Sequence, residues 1–187
     1  DKRKEIHQYL KILKSIIYKL NTIDNINKPM LLGLEGAAAN AYFSIFKIAI
    51  PARFDFKGRN QFAKDPINSI LNYLYGICYR EIESGIIITG LDPNSGFYHS
   101  DQYGKPVLSF DLIEVFRPEI DKLLLYLIAK KKIKQTWFIK EESGLLILNK
   151  DARKTLINEY YLKLGKHIKS ETFKLCFWII GELNEQK

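Results

Sequence analysis

Cysteine is scarce: the chain has two in 187 residues, Cys78 and Cys176, far apart and in no C-x-x-C pair. That spacing excludes a zinc ribbon and a disulfide framework, and a reducing compartment is the expected home. Long apolar runs are missing too. The longest, such as Leu123 to Ala129, fall far short of the roughly 20 residues that a membrane span requires. The opening segment DKRKEIHQYLKILKS is charged throughout and has no apolar core of signal-peptide type. It carries no initial methionine, which suits a piece of a longer chain. No repeat, low-complexity tract or Pro/Gly/Ser linker divides the sequence. The expectation is one soluble, intracellular domain.

What is present agrees. A composition of 47% hydrophobic, 13% aromatic and 27% charged residues is that of an ordered globular protein and excludes disorder, collagen and coiled-coil rods. A chain of this length hides roughly 70% of its unfolded surface, so it needs neither disulfides nor metals simply to fold. Lys and Arg total 29 against 21 for Asp and Glu, a net charge of +8. That excess suits a polyanionic partner, although plain basic proteins share it.

Periodicity makes the domain mostly helical. Ile6, Leu10, Leu13, Ile17 and Leu20 form a stripe at helical spacing, and a second helix is expected from about Met30 to Ile48, closed by Pro51. The third has the clearest start: Asp65 as cap, Pro66 at the first helical position, a run to about Ile88, and Gly90 to end it. GLDPNSGFYHSDQYGKP follows, too dense in turn residues for anything but a shaped loop. A fourth helix is expected from near Asp111 to about Lys132, with a break or kink at Arg117–Pro118. WFIKEESGLLIL reads as a hairpin around Ser143–Gly144. Asn149 or Asp151 then caps a helix holding Leu156 and Tyr160, and Ser170 caps a last one with the stripe Phe173, Phe177, Ile180 and Leu183.

Three places carry candidate chemistry. Asp111 and Glu114, three apart on a helix, project from one face, where two like charges cost about 0.2–0.5 kcal/mol unless a cation offsets them. The plain alternative is a solvated first turn favoured by the helix dipole. His99 ends the glycine-rich loop, 12 residues before Asp111. Beside carboxylates it makes a mixed N/O site suited to Mn²⁺ or, less ideally, Mg²⁺, and by itself it is equally a surface or hydrogen-bonding histidine. Glu35 stands in LLGLEGAAANAYF among apolar and small residues, where partial burial would demand a salt bridge or a metal. His7 and His167 lie on lysine-rich helices and are assigned no role.

GLEGAAANAYF, FKGRNQFAKDPINSILNYLYG, TGLDPNSGFYH and LSFDLIEVFRPEID occur in this order, and together they resemble the C-terminal catalytic domain of the CRISPR-associated adaptation integrases. The match is specific from about residue 25 to 125 and looser beyond. The resemblance implies a mainly α catalytic domain, with the family's N-terminal β-rich domain absent from this chain. It divides the chain into a leading amphipathic helix at 1–24, a metal-site core at 25–132, and a hairpin with helices at 133–187. It implies a divalent-metal-dependent endonuclease and integrase that inserts spacer DNA into the CRISPR repeat by phosphodiester transesterification. Glu35, His99 and Glu114 become the Mg²⁺ or Mn²⁺ ligands, with Asp111 orienting a ligand or holding a second ion. Tyr79 falls near the active site and DNA. One departure stands out, Asn40 where the family often has arginine.

DNA must then be held by positive charge. Arg59, Lys64 and Arg117 are the chosen contacts, and the run Lys130–Lys132 is either a further contact or a solvated face. The resemblance also implies a homodimer in the full-length parent, a small ferredoxin-like adaptation partner and a prokaryotic cytoplasm. The alternative is a non-catalytic helical module that binds nucleic acid or protein.

Overall fold

A computed structural model of the chain describes residues 1–96 and 105–185. The fold is mainly α, as expected, with one small hairpin. The helices are α1 (Lys2–Thr22), α2 (Lys28–Ala49), α3 (Pro66–Ile88), α4 (Val107–Ala129), α5 (Lys150–Tyr160) and α6 (Lys166–Glu185). Strands β1 (Phe138–Lys140) and β2 (Leu146–Leu148) pair antiparallel, with Phe138 opposite Leu148. Among the described residues no helix is long and apolar enough to cross a membrane.

The core is α3 laid on α4. Ile67, Ile70, Leu71, Leu74, Cys78, Ile82 and Ile86 run down the buried side of α3, and Leu108, Leu112, Phe116, Ile120, Leu124 and Leu127 answer from α4. Each such side chain stabilises the fold by about 1.5–3 kcal/mol on burial. The two helices are antiparallel: Tyr75 of α3 bonds Asp121 of α4, whereas Tyr79, one turn later, meets Phe110, three turns earlier. Local signals set the ends of α3. The Asp65 carboxylate accepts from the Ile67 and Asn68 amides, and Gly90, at φ 84°, lets the Leu91 amide turn back to the Ile86 carbonyl.

Several sequence-based expectations are corrected. Helix α4 starts at Val107, one turn before Asp111, and runs unbroken through Pro118. Proline deletes one backbone bond there, but buried Phe116 and Ile120 anchor the turns on either side while Pro118 itself faces solvent. In α1 the covered line is Ile16 with Ile6, Tyr9 and Leu13, while Leu10, Ile17 and Leu20 of the expected stripe are exposed. Apolar residues occur on two sides of this helix, so spacing alone does not choose the face that meets α2.

The C-terminal correction has a cleaner cause. Ser170 caps nothing: the helical path capped by Asn149 continues from α5 through a π turn, Tyr161–Gly165, straight into α6. The buried positions are Ala152, Leu156, Tyr160, Gly165, Ile168, Thr172 and Cys176. The single step of five falls in the π turn and resets the phase. Phe177 and Leu183 of the expected stripe are therefore exposed.

Where α6 crosses α3, Gly85 leaves room for Thr172: a Cβ at 85 would lie 2.6 Å from the Thr172 methyl carbon. Thr172 is buried and its hydroxyl donates to the Ile168 carbonyl, so it has little freedom to yield. Gly85→Ala is expected to cost about 1–3 kcal/mol through overpacking, more than the helix-propensity gain of about 1 kcal/mol returns. Denaturant unfolding measures it, and Thr172→Ser in the same chain should recover part of the loss.

Candidate functional site

Asn68 seats the approach to α3. Fully buried, it uses its whole amide: Oδ1 accepts from Asn60 N at 2.8 Å and Arg59 Nη1 at 3.0 Å, and Nδ2 donates to the Gly58 carbonyl and the Asp65 carboxylate. Arg59 is thereby fixed with its guanidinium 5.3 Å from the Tyr75 ring centre. Burial, followed by the nearby Arg117 charge, lowers its pKa from the ordinary arginine value. Lys64 is exposed.

Asp111 sits in the second turn of α4 and is 7% exposed. The solvated-first-turn alternative is thus overturned on both counts. Its carboxylate faces the start of the glycine-rich loop: a Cβ on Gly96 would lie 3.0 Å from Asp111 Oδ2 and 2.5 Å from Val107 Cγ1. The Leu108 amide donates to the Pro93 carbonyl at 2.9 Å, and Asp92 ties the turn by accepting from Asn94 and Ser95. The loop is therefore docked on α4 at Gly96, three residues before His99. His99 itself lies outside the described residues.

Glu114, one turn on, is half-buried and pairs with Arg117 at 3.0 Å. The Arg117 guanidinium in turn lies 5.4 Å from the centre of the Tyr75 ring. Tyr79 packs its ring on Phe110 at 5.4 Å and points its hydroxyl towards Glu83; burial, then the Glu83 charge, raises its pKa. Glu35 is exposed on α2, contrary to the expected partial burial. Its small neighbours Gly33, Gly36, Ala37 and Ala39 are exposed as well. Of the lysine run, Lys130 and Lys131 are exposed, whereas Lys132 pairs with Glu159 and so belongs to the packing of the α4 end.

Among the described residues no three His, Cys, Asp or Glu side chains gather closely enough to hold a metal ion. Glu35, Asp111 and Glu114 alone are therefore not such a group, and a three-donor set requires a residue from 97–104, the stretch that contains His99.

Sequence reasoning missed one buried, hydrogen-bonded acid near this site. Asp121 is 2% exposed, accepting from the Tyr75 hydroxyl at 2.6 Å and from the Tyr42 hydroxyl at 2.8 Å. An acid inside the apolar run of α4 was the available signal.

The sequence matches the family model of the CRISPR associated protein Cas1 over residues 1–161. It is 38% identical over 147 residues to a CRISPR-associated endonuclease Cas1 of Chlorobaculum tepidum, covering 76% of this chain and 43% of that protein. It is 34% identical over 150 residues to the Cas1 endonuclease of Leptospira interrogans, covering 78% of this chain and 57% of the relative. The chain thus spans about half the length of these curated relatives. Among solved structures it resembles a casposase bound to integration product, with a TM-score of 0.78, 26% identity, and 97% of this chain and 58% of that one covered. A Cas6-RT-Cas1–Cas2 complex superposes with a TM-score of 0.86 at 26% identity, covering 99% of this chain and 21% of the other. The chain belongs to the CRISPR-associated Cas1 family.

Proposed function

We propose that this chain is the DNA-joining part of a CRISPR-adaptation integrase, cutting and transferring phosphodiester bonds with Mg²⁺ or Mn²⁺. The observation that carries the reading is Asp111: a carboxylate buried in the second turn of a helix, with Gly96 of the preceding loop docked against it. A protein tolerates a buried acid at a loop junction when the acid is hydrogen-bonded, paired or near a cation.

The donor chemistry fits such a cation. Carboxylate oxygens from Glu35 and Glu114 with the imidazole of His99 suit Mn²⁺ and, with more strain, Mg²⁺. When bound, the ion supplies charge to a phosphoryl oxygen and lowers the pKa of an attacking hydroxyl. The chain's own groups do the rest. Glu35, His99 and Glu114 are the ligands, and Asp111 fixes the loop that presents His99 or holds a second ion. Arg117, beside Glu114, meets a phosphate that enters there. Arg59, fixed by Asn68, and exposed Lys64 extend that track, and Tyr79 offers an aromatic edge to the DNA. A 3′-hydroxyl in the site gives joining; water in the same place gives hydrolysis.

The natural substrates on this reading are a spacer precursor and the CRISPR repeat in the prokaryotic cytoplasm. The protein acts as a homodimer with a small ferredoxin-like adaptation partner. Similarity to a Cas1 inside a Cas1–Cas2 assembly supports the last point.

A second reading, a helical module that binds nucleic acid without turnover, is favoured by the lack of a three-donor group among the described residues. Two measurements separate them. Glu35→Ala and His99→Ala are expected to abolish Mn²⁺-dependent cutting and joining of branched DNA while the helical circular dichroism signal stays; unchanged turnover refutes the site. Gly96→Ala should lower activity about 10–100-fold, as expected for a support behind a ligand, with part restored by Val107→Ala. DNA binding through six or more phosphate contacts should weaken roughly 10³-fold between 50 and 200 mM salt, read from binding isotherms.

A further inference from the structure

One contact network crosses three helices beside the proposed ligands. The Asp121 carboxylate on α4 takes one hydroxyl from α2, Tyr42, and one from α3, Tyr75. The Tyr75 ring then lies against Arg117, and Arg117 holds Glu114 at 3.0 Å. A continuous chain of contacts therefore joins Asp121 to a proposed ligand on its own helix and to the helix that carries the other.

Register gives the network its meaning. Glu35 precedes Tyr42 by seven residues, and Glu114 precedes Asp121 by seven. Seven residues are about two turns and return the side chain to nearly the same face. The Tyr42–Asp121 bond thus fixes α2 against α4 at one level, and each proposed carboxylate ligand stands two turns before that level on its own helix. Helix α1 also packs along α2. Within α2 only Ala41 and Phe46 are buried, and both lie on the Tyr42 side of Glu35. A slip of α2 along α4 would carry Glu35 with it.

We propose that Asp121 is a positioning residue for the metal site, acting through Tyr42 on Glu35 and through Tyr75 and Arg117 on Glu114; this rests on the reading of Glu35 and Glu114 as ligands. Asp121 touches neither substrate nor cation on this account. It sets the distance between two side chains that do.

Removing one hydroxyl tests the idea with least harm to folding. Tyr42→Phe deletes the bond to α2 and keeps the ring in its cluster with Phe43 and Phe46. The expected result in the purified protein is Mn²⁺ affinity lowered about 10–100-fold by titration, at a temperature where unfolding in EDTA shows the variant fully native. The electron paramagnetic resonance spectrum of bound Mn²⁺ should change as well. Asp121→Asn, whose amide can accept from one tyrosine and donate to the other, should stay close to wild type. Asp121→Ala should lose affinity where it folds. A purely structural role predicts lower melting temperatures with an unaltered Mn²⁺ affinity and spectrum in the native variants, and that result overturns the proposal. Glu35→Ala separates the two ideas. If it removes Mn²⁺ binding while Tyr42→Phe binds as wild type, only the positioning role fails; if it too binds as wild type, the ligand reading fails and takes this inference with it.

Discussion

Asp121 places an acid where an ionised group is expensive, and the layout around it follows from how that expense is met. Burial pushes its pKa above the usual carboxylate value; the two phenol donors and then the charges of Arg117 and Arg59 pull the other way. The effect is mutual. Burial first, and the Asp121 charge second, drive the pKa values of Tyr42 and Tyr75 well above that of free tyrosine. Both phenols therefore stay protonated and remain donors throughout the neutral range. A hydrogen bond to a charged group contributes about 1.5–3 kcal/mol, so two of them form a tie between helices that a pair of apolar contacts would not fix in direction.

The tie matters because α2 is unevenly held. Its second half is built in: Tyr42, Phe43, Phe46 and Phe56 form a ring cluster with centroid separations of 5.3 to 6.0 Å, and Phe46 is 3% exposed. Its first half carries Met30, Leu32 and Glu35 on open faces. Local stability generally follows buried apolar contact, so the second half of α2 is its firmer end. Glu35 lies two turns before Tyr42 on the same helix.

Much of the fold was legible because the signals were local. Asp65 followed by Pro66, Gly90 after an apolar run, Ser143–Gly144 between two short apolar segments and Asn149 before a helix each state their structure within a few residues. The errors came from questions a local reading does not answer. Two apolar faces on α1 offered two stripes. The π turn after Tyr160 changed the phase by a single step of five, which moved the buried line of α6 off Phe173 and Phe177. At Pro118 the sequence alone suggests a break or kink, because it does not show that the residues on both sides are buried. The apolar and small neighbours of Glu35 suggest partial burial, yet small residues also make an open surface. The proposed ligands came from a resemblance across four motifs, whereas Tyr42 and Asp121 meet across 79 residues with no motif to announce them.

Stability alone gives no reason for a carboxylate at position 121. Replacing all partners of a buried hydrogen bond by apolar groups of the same shape can be nearly neutral or stabilising, because nothing polar then has to be removed from water. A leucine at 121 between two phenylalanines would bury the same space. It would also let α2 settle at any of several positions along α4, since apolar packing is nearly indifferent to a small slide. Hydrogen bonds are not: at 2.6 and 2.8 Å they fail once the partners move by about an ångström. A protein that only had to stay folded would lose little by the exchange. One that must keep two carboxylates at a set separation on different helices needs the bond that depends steeply on distance.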